Sequence, residues 1–468
     1  MVVVSKESRG MFMTIFWLSV AVRLAIGFWP HSGENSPPKF GDFEAQRHWK
    51  ELTLNLPISE WYSFDKDYWG LDYPPLTAYH ELIMAKVGQY ILGDAPFALN
   101  SSRGCESNDL REFMRYSVLV TDLLIYYTAV AFLFFNCGQF SEERRLKVAT
   151  SLLLAPTLIS VDHGHFQYNC AALGFFLWAV VMIFNSRFLA SAVFYCCAVL
   201  FKQTMLYFAP VFFFYLLGIC MHRPLFLPLA VTVLCTFSII LFPLIYDAIG
   251  SGVVERIRLI GNSIFPFHRG VFEDYVANFW ILASAVLKLR RAERLLEIAT
   301  VMRASTLLTL ASFAECSWGL LMHARTDNFI ISLAHCSLGF FLFSWQVHEK
   351  AICLPLTAFS LIGLVHWNQP RYGELKSGFP IVAFFSMLRL YEKDVLVIPA
   401  ILLHLALLEI NLNLVAFIVI GIGCIFGFIL PVALSPPSSL PFLWSFLLHA
   451  FCATCLILIW RVLLHLRS

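Results

Sequence analysis

The stretch FGDFEAQRHW, Phe40 to Trp49, carries Asp42, Glu44, Arg47 and His48 soon after a long apolar run. These side chains serve proton transfer and phosphate contact. A carboxylate takes the proton of an attacking hydroxyl, and a guanidinium or imidazole steadies an anion. Asp42 follows Gly41, whose missing Cβ permits tight backbone geometry. That position can place a carboxylate at a membrane boundary, where a lipid-borne substrate would present its headgroup. The plain alternative for any such Asp is a solvated loop charge.

Other clusters follow. In YWGLDYPPLTAYH, Pro74 and Pro75 stop a helix and fix an extended approach for Asp72 and Tyr73. Trp49, Trp61, Tyr62, Tyr68, Trp69, Tyr73 and Tyr79 share this part of the chain. Their rings suit a membrane interface, and they equally suit stacking on the C–H faces of a sugar. DHGHFQYN offers Asp162, His163 and His165 at i, i+1 and i+3, which could enter a metal site only with further rigid ligands. FHRG and QVHEK add Arg269, His348 and Lys350.

The elements that hold these clusters are membrane helices. The chain is 59% hydrophobic and only 14% charged over 468 residues, against roughly 25% charge in soluble domains. A net charge of +2 argues against a nucleic-acid partner. The thirteen cysteines lie mostly inside apolar runs and read as packing residues. Apolar runs predict an all-α polytopic membrane protein with spans at 11–29, 112–136, 148–162, 170–185, 187–201, 205–220, 225–248, 274–288, 297–321, 328–345, 351–367, 377–391, 395–411, 412–433 and 441–460. The organisation expected is one membrane domain over 1–468. A first span at 11–29 precedes a loop over 30–110, core spans fill 111–350 and C-terminal spans fill 351–468.

Basic residues in EERRLK, MHRP, KLRRAER and the WRVLLHLRS tail place those segments and both termini in the cytoplasm. The 30–110 loop then faces the lumen, as its sequon Asn100-Ser101-Ser102 permits. Two cytoplasmic termini require an even number of crossings, so one of the fifteen candidates is not a full span. The short 274–288 segment is the first suspect and a piece near 377–411 the second, leaving about fourteen. Leu82, Ile83, Val87, Tyr90 and Ile91 recur at helical spacing with Glu81, Lys86 and Gln89 between them, which predicts a helix on the membrane surface.

FGDFEAQRHW, LPISEWY, YWGLDYPPLTAYH, SSRGCES, HGHFQYN, FPFHRGVFEDYVANFW and FSWQVHEK, in this order, resemble the endoplasmic-reticulum glucosyltransferases that use dolichyl-phosphate glucose. These are GT-C enzymes of lipid-linked oligosaccharide assembly. The resemblance runs from about Gly41 to Lys350 and implies the GT-C fold, residence in that membrane, and a lumenal active site. GDFEAQRHW and GLDYPPLTAYH are closest to the branch that adds the first glucose, by α-1,3 linkage, to the nine-mannose glycan on dolichyl pyrophosphate. The sister that adds the second glucose is the alternative.

The reaction so implied is an inverting displacement of dolichyl phosphate from glucose C1 by a mannose hydroxyl. Partners would be dolichyl-phosphate glucose, the dolichyl-pyrophosphate oligosaccharide and membrane lipid. By resemblance Asp42 is the base and Asp72 its support or a sugar ligand. His348 and Lys350 are the first choice for the donor phosphate and Arg269 the next, which requires QVHEK to be lumenal. Glu44 binds sugar or simply hydrates. Arg47 and His48 orient carboxylates, contact phosphate, or pair within the loop. Trp69, Tyr73, His165 and Gln167 are expected at the substrate, and Lys202-Gln203 at a helix end either snorkels or touches phosphate. With basic groups on the leaving phosphate, no cofactor is expected, though a divalent ion is conceivable at the DHGH turn. A transporter with Arg23, Asp122, Asp247 and Glu409 along its pathway is the rival class, and a non-catalytic assembly subunit is the third.

Overall fold

Long apolar runs leave the backbone no solvent partner in a bilayer, so they form helices, whose hydrogen bonds close within the segment. The computed structural model describes residues 4–250, 252–265, 276–287, 298–407 and 413–466, and no strand occurs among them. Eight described helices are long and apolar enough to cross a membrane: Lys6–Ile26, Asn108–Asn136, Gln203–Cys220, Phe226–Ala248, Thr326–Phe343, Glu349–His366, Leu414–Ala433 and Leu443–Leu464. Shorter apolar helices occupy Asn169–Phe184, Phe188–Phe201 and Val397–Leu407. Leu234 and Ile239 in Phe226–Ala248 are 67% and 72% exposed, as lipid-facing side chains must be. The chain is a multi-span membrane protein.

One expected span differs in form. The 148–162 run is not one helix: Glu142–Leu153 ends before Pro156, a short helix follows, and a π-turn runs from Ser160 to Phe166. Proline cannot continue the hydrogen bonding of the helix before it, which accounts for the break. In the 274–288 segment the described helix is Phe279–Leu287, and residues 288–297 after it lie outside the described residues. All thirteen cysteines are free thiols, in keeping with a packing role.

The chain folds as two compact units. The first comprises Met1–Cys137, Leu158–Met205 and Leu225–His268, and the second Gly138–Thr157, Leu206–Pro224 and Arg269–Ser468. In the second, Thr326–Phe343 packs against the Cys353–His366, Ile298–Met322 and Leu443–Leu464 helices.

The first unit holds the long loop, and most of that loop is folded. Helix α1 (Lys6–Ile26) leads through a tight loop into α2 (Gly41–Asn55). Phe40 and Gly41 both have positive φ, 55° and 70°. A Cβ at Gly41 would lie 2.6 Å from Ser32 Oγ, so only glycine admits this close approach. Helix α3 (Pro75–Leu92) starts with proline at its first position, where no backbone N–H is needed. Helix α4 (Asn108–Asn136) is capped by the Ser107 hydroxyl, which accepts from Leu110 N at 3.4 Å.

Helix α3 has the expected apolar stripe: Ile83, Val87, Tyr90 and Ile91 are all exposed. Of its polar residues, Lys86 and Gln89 are exposed and Glu81 departs from the expectation. Glu81 is fully buried and accepts from Lys50 Nζ of α2 at 2.5 Å, because α2 packs along that face. A helix with apolar residues outward and a charge pair inward is suited to a lipid surface.

Candidate active site

The loop geometry that starts α2 also aims Asp42. Asp42 N donates to Ser32 Oγ at 3.2 Å, and Ser32 N donates to the His165 carbonyl at 2.9 Å. The first turn of α2 is thereby fastened to the π-turn that carries DHGH. Arg115 of α4 holds this turn from the other side, donating to the carbonyls of His163, Gly164 and Trp29. His165 Nε2 lies 3.0 Å from Asp42 Oδ2, and the Gln167 amide donates to the same oxygen. One carboxylate oxygen of Asp42 thus has two polar partners, one on the π-turn and one just after it. The Asp42 side chain remains 24% exposed, so an outside hydroxyl can reach it.

Gln167 continues the network. Its Oε1 accepts from Tyr73 Oη at 3.3 Å and from Lys202 Nζ at 3.2 Å. Lys202 also donates to Asn169 Oδ1 at 2.6 Å and lies 4.9 Å from the Tyr73 ring centroid. Asp72 stands beside Tyr73, and its carbonyl accepts from Gln203 Nε2 at 3.1 Å. Burial, then the charges of Asp72, Asp42 and Asp162, push the Tyr73 hydroxyl well above its ordinary 10. Tyr73 therefore stays a neutral donor. The His31 ring stacks on Phe43 at 3.9 Å, and burial holds it down at about 3, with the Arg115, Arg111 and His165 charges adding to the effect.

Glu44, Arg47 and His48 sit differently. Arg47 meets Glu44 through Nε–Oε2 at 2.6 Å and Nη2–Oε1 at 2.7 Å, and Glu51 Oε2 at 2.7 Å. Its other terminal nitrogen donates to Ser102 Oγ and the Pro96 carbonyl. Glu44 also accepts from Tyr68 Oη and Gly104 N. His48 Nδ1 lies 3.1 Å from Glu51. All three residues are at most 1% exposed, because the 58–104 segment folds over α2. Of the roles expected for Arg47 and His48, pairing within the loop is the one this geometry supplies, and Glu44, expected to bind sugar or hydrate, is buried in an ion pair.

The remaining expected site residues lie further along. Trp69 Nε1 donates to the Lys39 carbonyl at 2.6 Å, and Lys39 Nζ lies 5.8 Å from its ring. His348, exposed, and Lys350, half-buried, belong to the second unit at the 3-10 turn Glu349–Ile352. Arg269 lies outside the described residues. The two histidines of DHGH face different carboxylates: His163 Nε2 is 2.8 Å from Asp122, whereas His165 serves Asp42. A set that could hold a cation, Asp122, Asp162 and Cys170, is buried instead around Asp122. Arg23 Nε also meets Asp122, at 3.4 Å, so a cation there would share its carboxylate with a guanidinium.

Of the charges that a transporter pathway would use, Arg23 and Asp122 thus pair with each other and Asp247 pairs with Arg256 at 3.3 Å. Glu409 lies outside the described residues. Ser32, Arg115, Asn169 and Glu51 are parts of the constellation that the sequence did not single out. The polar Asn169 at the start of an apolar helix was the signal available for one of them.

Comparison with known proteins places the chain among named relatives. The chain is 39% identical over 404 residues to a probable dolichyl pyrophosphate Man9GlcNAc2 alpha-1,3-glucosyltransferase of Schizosaccharomyces pombe, covering 83% of this chain and 77% of that protein. It is 39% identical over 391 residues to the dolichyl pyrophosphate Man9GlcNAc2 alpha-1,3-glucosyltransferase of Saccharomyces cerevisiae, covering 81% and 70%. The Mus musculus protein of that name is 38% identical over 412 residues, covering 86% and 78%. Residues 19–463 match the family as a whole, and the chain belongs to the ALG6, ALG8 glycosyltransferase family.

Proposed function

We propose that this protein is an inverting α-1,3-glucosyltransferase that moves glucose from dolichyl-phosphate glucose to the nine-mannose glycan of Man9GlcNAc2 on dolichyl pyrophosphate. One observation carries the reading: Asp42, at the mouth of α2, is partly exposed while His165 and Gln167 hold one of its oxygens. The names of the relatives supply the acceptor and the linkage.

In the proposed step a mannose hydroxyl attacks glucose C1 on the face opposite the phosphate. Asp42 takes the hydroxyl proton as the new C–O bond forms. The C1–O bond to phosphate breaks and its electron pair leaves with dolichyl phosphate, so a β-linked donor gives an α-linked product. The phosphate departs ionised and needs cationic partners rather than an acid. His348, Lys350 and Arg269 are the residues proposed for it, with Asp72 and Tyr73 beside the sugar. The site is proposed to face the endoplasmic-reticulum lumen, with both termini cytoplasmic, about fourteen crossings, and no metal required.

The test is product analysis with purified protein, synthetic donor, and two acceptors supplied separately, the nine-mannose glycan and its one-glucose product. Glucosylation of the nine-mannose acceptor is expected. Preference for the one-glucose acceptor would move the chain to the sister reaction, and no glucosylation of either would overturn the proposal.

A further inference from the structure

The Phe188–Phe201 helix ends at a buried lysine that the reaction above does not use. Lys202 is 8% exposed, and its ammonium faces two amide oxygens, Asn169 Oδ1 at 2.6 Å and Gln167 Oε1 at 3.2 Å. We infer that Lys202 is a positioning residue for Asp42 and acts through the Gln167 amide. The inference rests on the reading of Asp42 as the base.

An ammonium has three donors and no acceptor, whereas an amide has one end of each kind. With Lys202 and the Tyr73 hydroxyl both donating to one end of Gln167, that end must be the oxygen. The NH2 then points the other way, at Asp42 Oδ2. A flipped amide would set oxygen against a carboxylate and NH2 against an ammonium, two repulsive contacts among groups that are nearly all buried. Asn169 is held the same way, its Nδ2 donating to Asp162 Oδ1 at 2.7 Å while its oxygen takes the ammonium. Lys202 thus fixes two amides, and one of them aims the carboxylate.

Of the titratable groups nearby, His165 touches Asp42, Tyr73 and Lys202 reach it through Gln167, and the charges of Asp72, Asp42 and Asp162 all act on Tyr73. Removing the Lys202 charge while the acidic groups remain disfavours a second anion, so the base titrates at higher pH. A slack carboxylate also loses alignment with the attacking hydroxyl, which costs rate rather than binding.

The experiment measures glucosyl transfer by the full-length protein with Lys202→Met, Lys202→Gln, Lys202→Arg, Gln167→Met and the Lys202→Met/Gln167→Met double variant. Lys202→Met is expected to lower kcat by about tenfold to a hundredfold with acceptor KM little changed. Its acid limb in the kcat/KM profile is expected to move to higher pH, and Lys202→Arg should restore most of the rate. The double variant should be no slower than Gln167→Met alone, because the lysine acts through that amide. If Lys202→Met does not accumulate, Lys202→Gln carries the same test, since a neutral amide no longer dictates which way Gln167 faces. An unmoved acid limb, or losses that multiply in the double variant, would overturn the inference. Should Asp42→Asn keep its rate, the base assignment fails. Should Asp42→Asn be inactive while the Lys202 variants are normal, only the present inference fails.

Discussion

The first turn of α2 and the two turns after it are built from the same residue types for opposite ends. Asp42 keeps a quarter of its side chain open, and its partners come from other segments, Ser32, His165 and Gln167. Five to nine residues on, Arg47, His48, Lys50 and Glu51 are completely buried. Their partners are one another, Glu44 and Glu81, with Ser102 closing the group. A charge taken out of water must be matched inside the fold, whereas a charge at the rim keeps its capacity for an outside proton. The helix thus separates the group proposed to react from the groups that hold the helix in place.

Breaking the inner part should cost stability first. Arg47→Met leaves Glu44 and Glu51 buried without their cation, and a loss of about 3 to 5 kcal/mol is expected. Thermal unfolding in detergent, or failure of the protein to accumulate, reads this effect. An unchanged midpoint would mean that the buried charges do not hold α2.

Lys50→Met sharpens the comparison. It strands Glu81 and should destabilise by a similar or slightly smaller amount, while Lys50→Met/Glu81→Met removes both charges and should recover most of the loss. A double variant as unstable as the single one would show that the pair does more than neutralise itself.

Acid acts more weakly on the same inner group. Burial by itself would raise Glu51, but the His48 hydrogen bond, the Arg47 charge and the Asn100 N–H outweigh it and hold the carboxyl at about 2, against an ordinary 4.5. A depressed carboxyl stabilises the fold above its unfolded value and loses that contribution as pH falls through the folded one. His31, held down at about 3 from 6.5, adds to the same trend, since the unfolded chain takes up its proton first. The unfolding midpoint is therefore expected to decline as pH drops from about 6.5 toward 3. A flat profile over that window would contradict the assignment.

How much of this was legible in the sequence follows from the same contrast. Asp42 was visible because a charged cluster behind a glycine, just past an apolar run, is rare in so hydrophobic a chain. His165 and Gln167 were expected at the substrate, and the structure brings both to Asp42 instead. The fate of Glu44, Arg47 and His48 was not legible. Helical periodicity reveals burial when one face is apolar, but residues 43–53 are buried on every side, and no repeat marks such a helix. Lys202 was equally ambiguous, because a lysine at a helix end looks the same whether it snorkels or turns inward to two amides. The π-turn at 160–166 hid inside an apolar run, although Pro156 marked the break before it.

The central claim is that Asp42 reacts and its neighbours position it. The direct measurement is glucosyl transfer by Asp42→Asn protein, with acceptor binding followed in parallel. The account predicts a loss of about 100-fold to 10,000-fold in kcat, with the unfolding midpoint and acceptor affinity close to those of the unaltered protein. Near-normal turnover by that variant would contradict it.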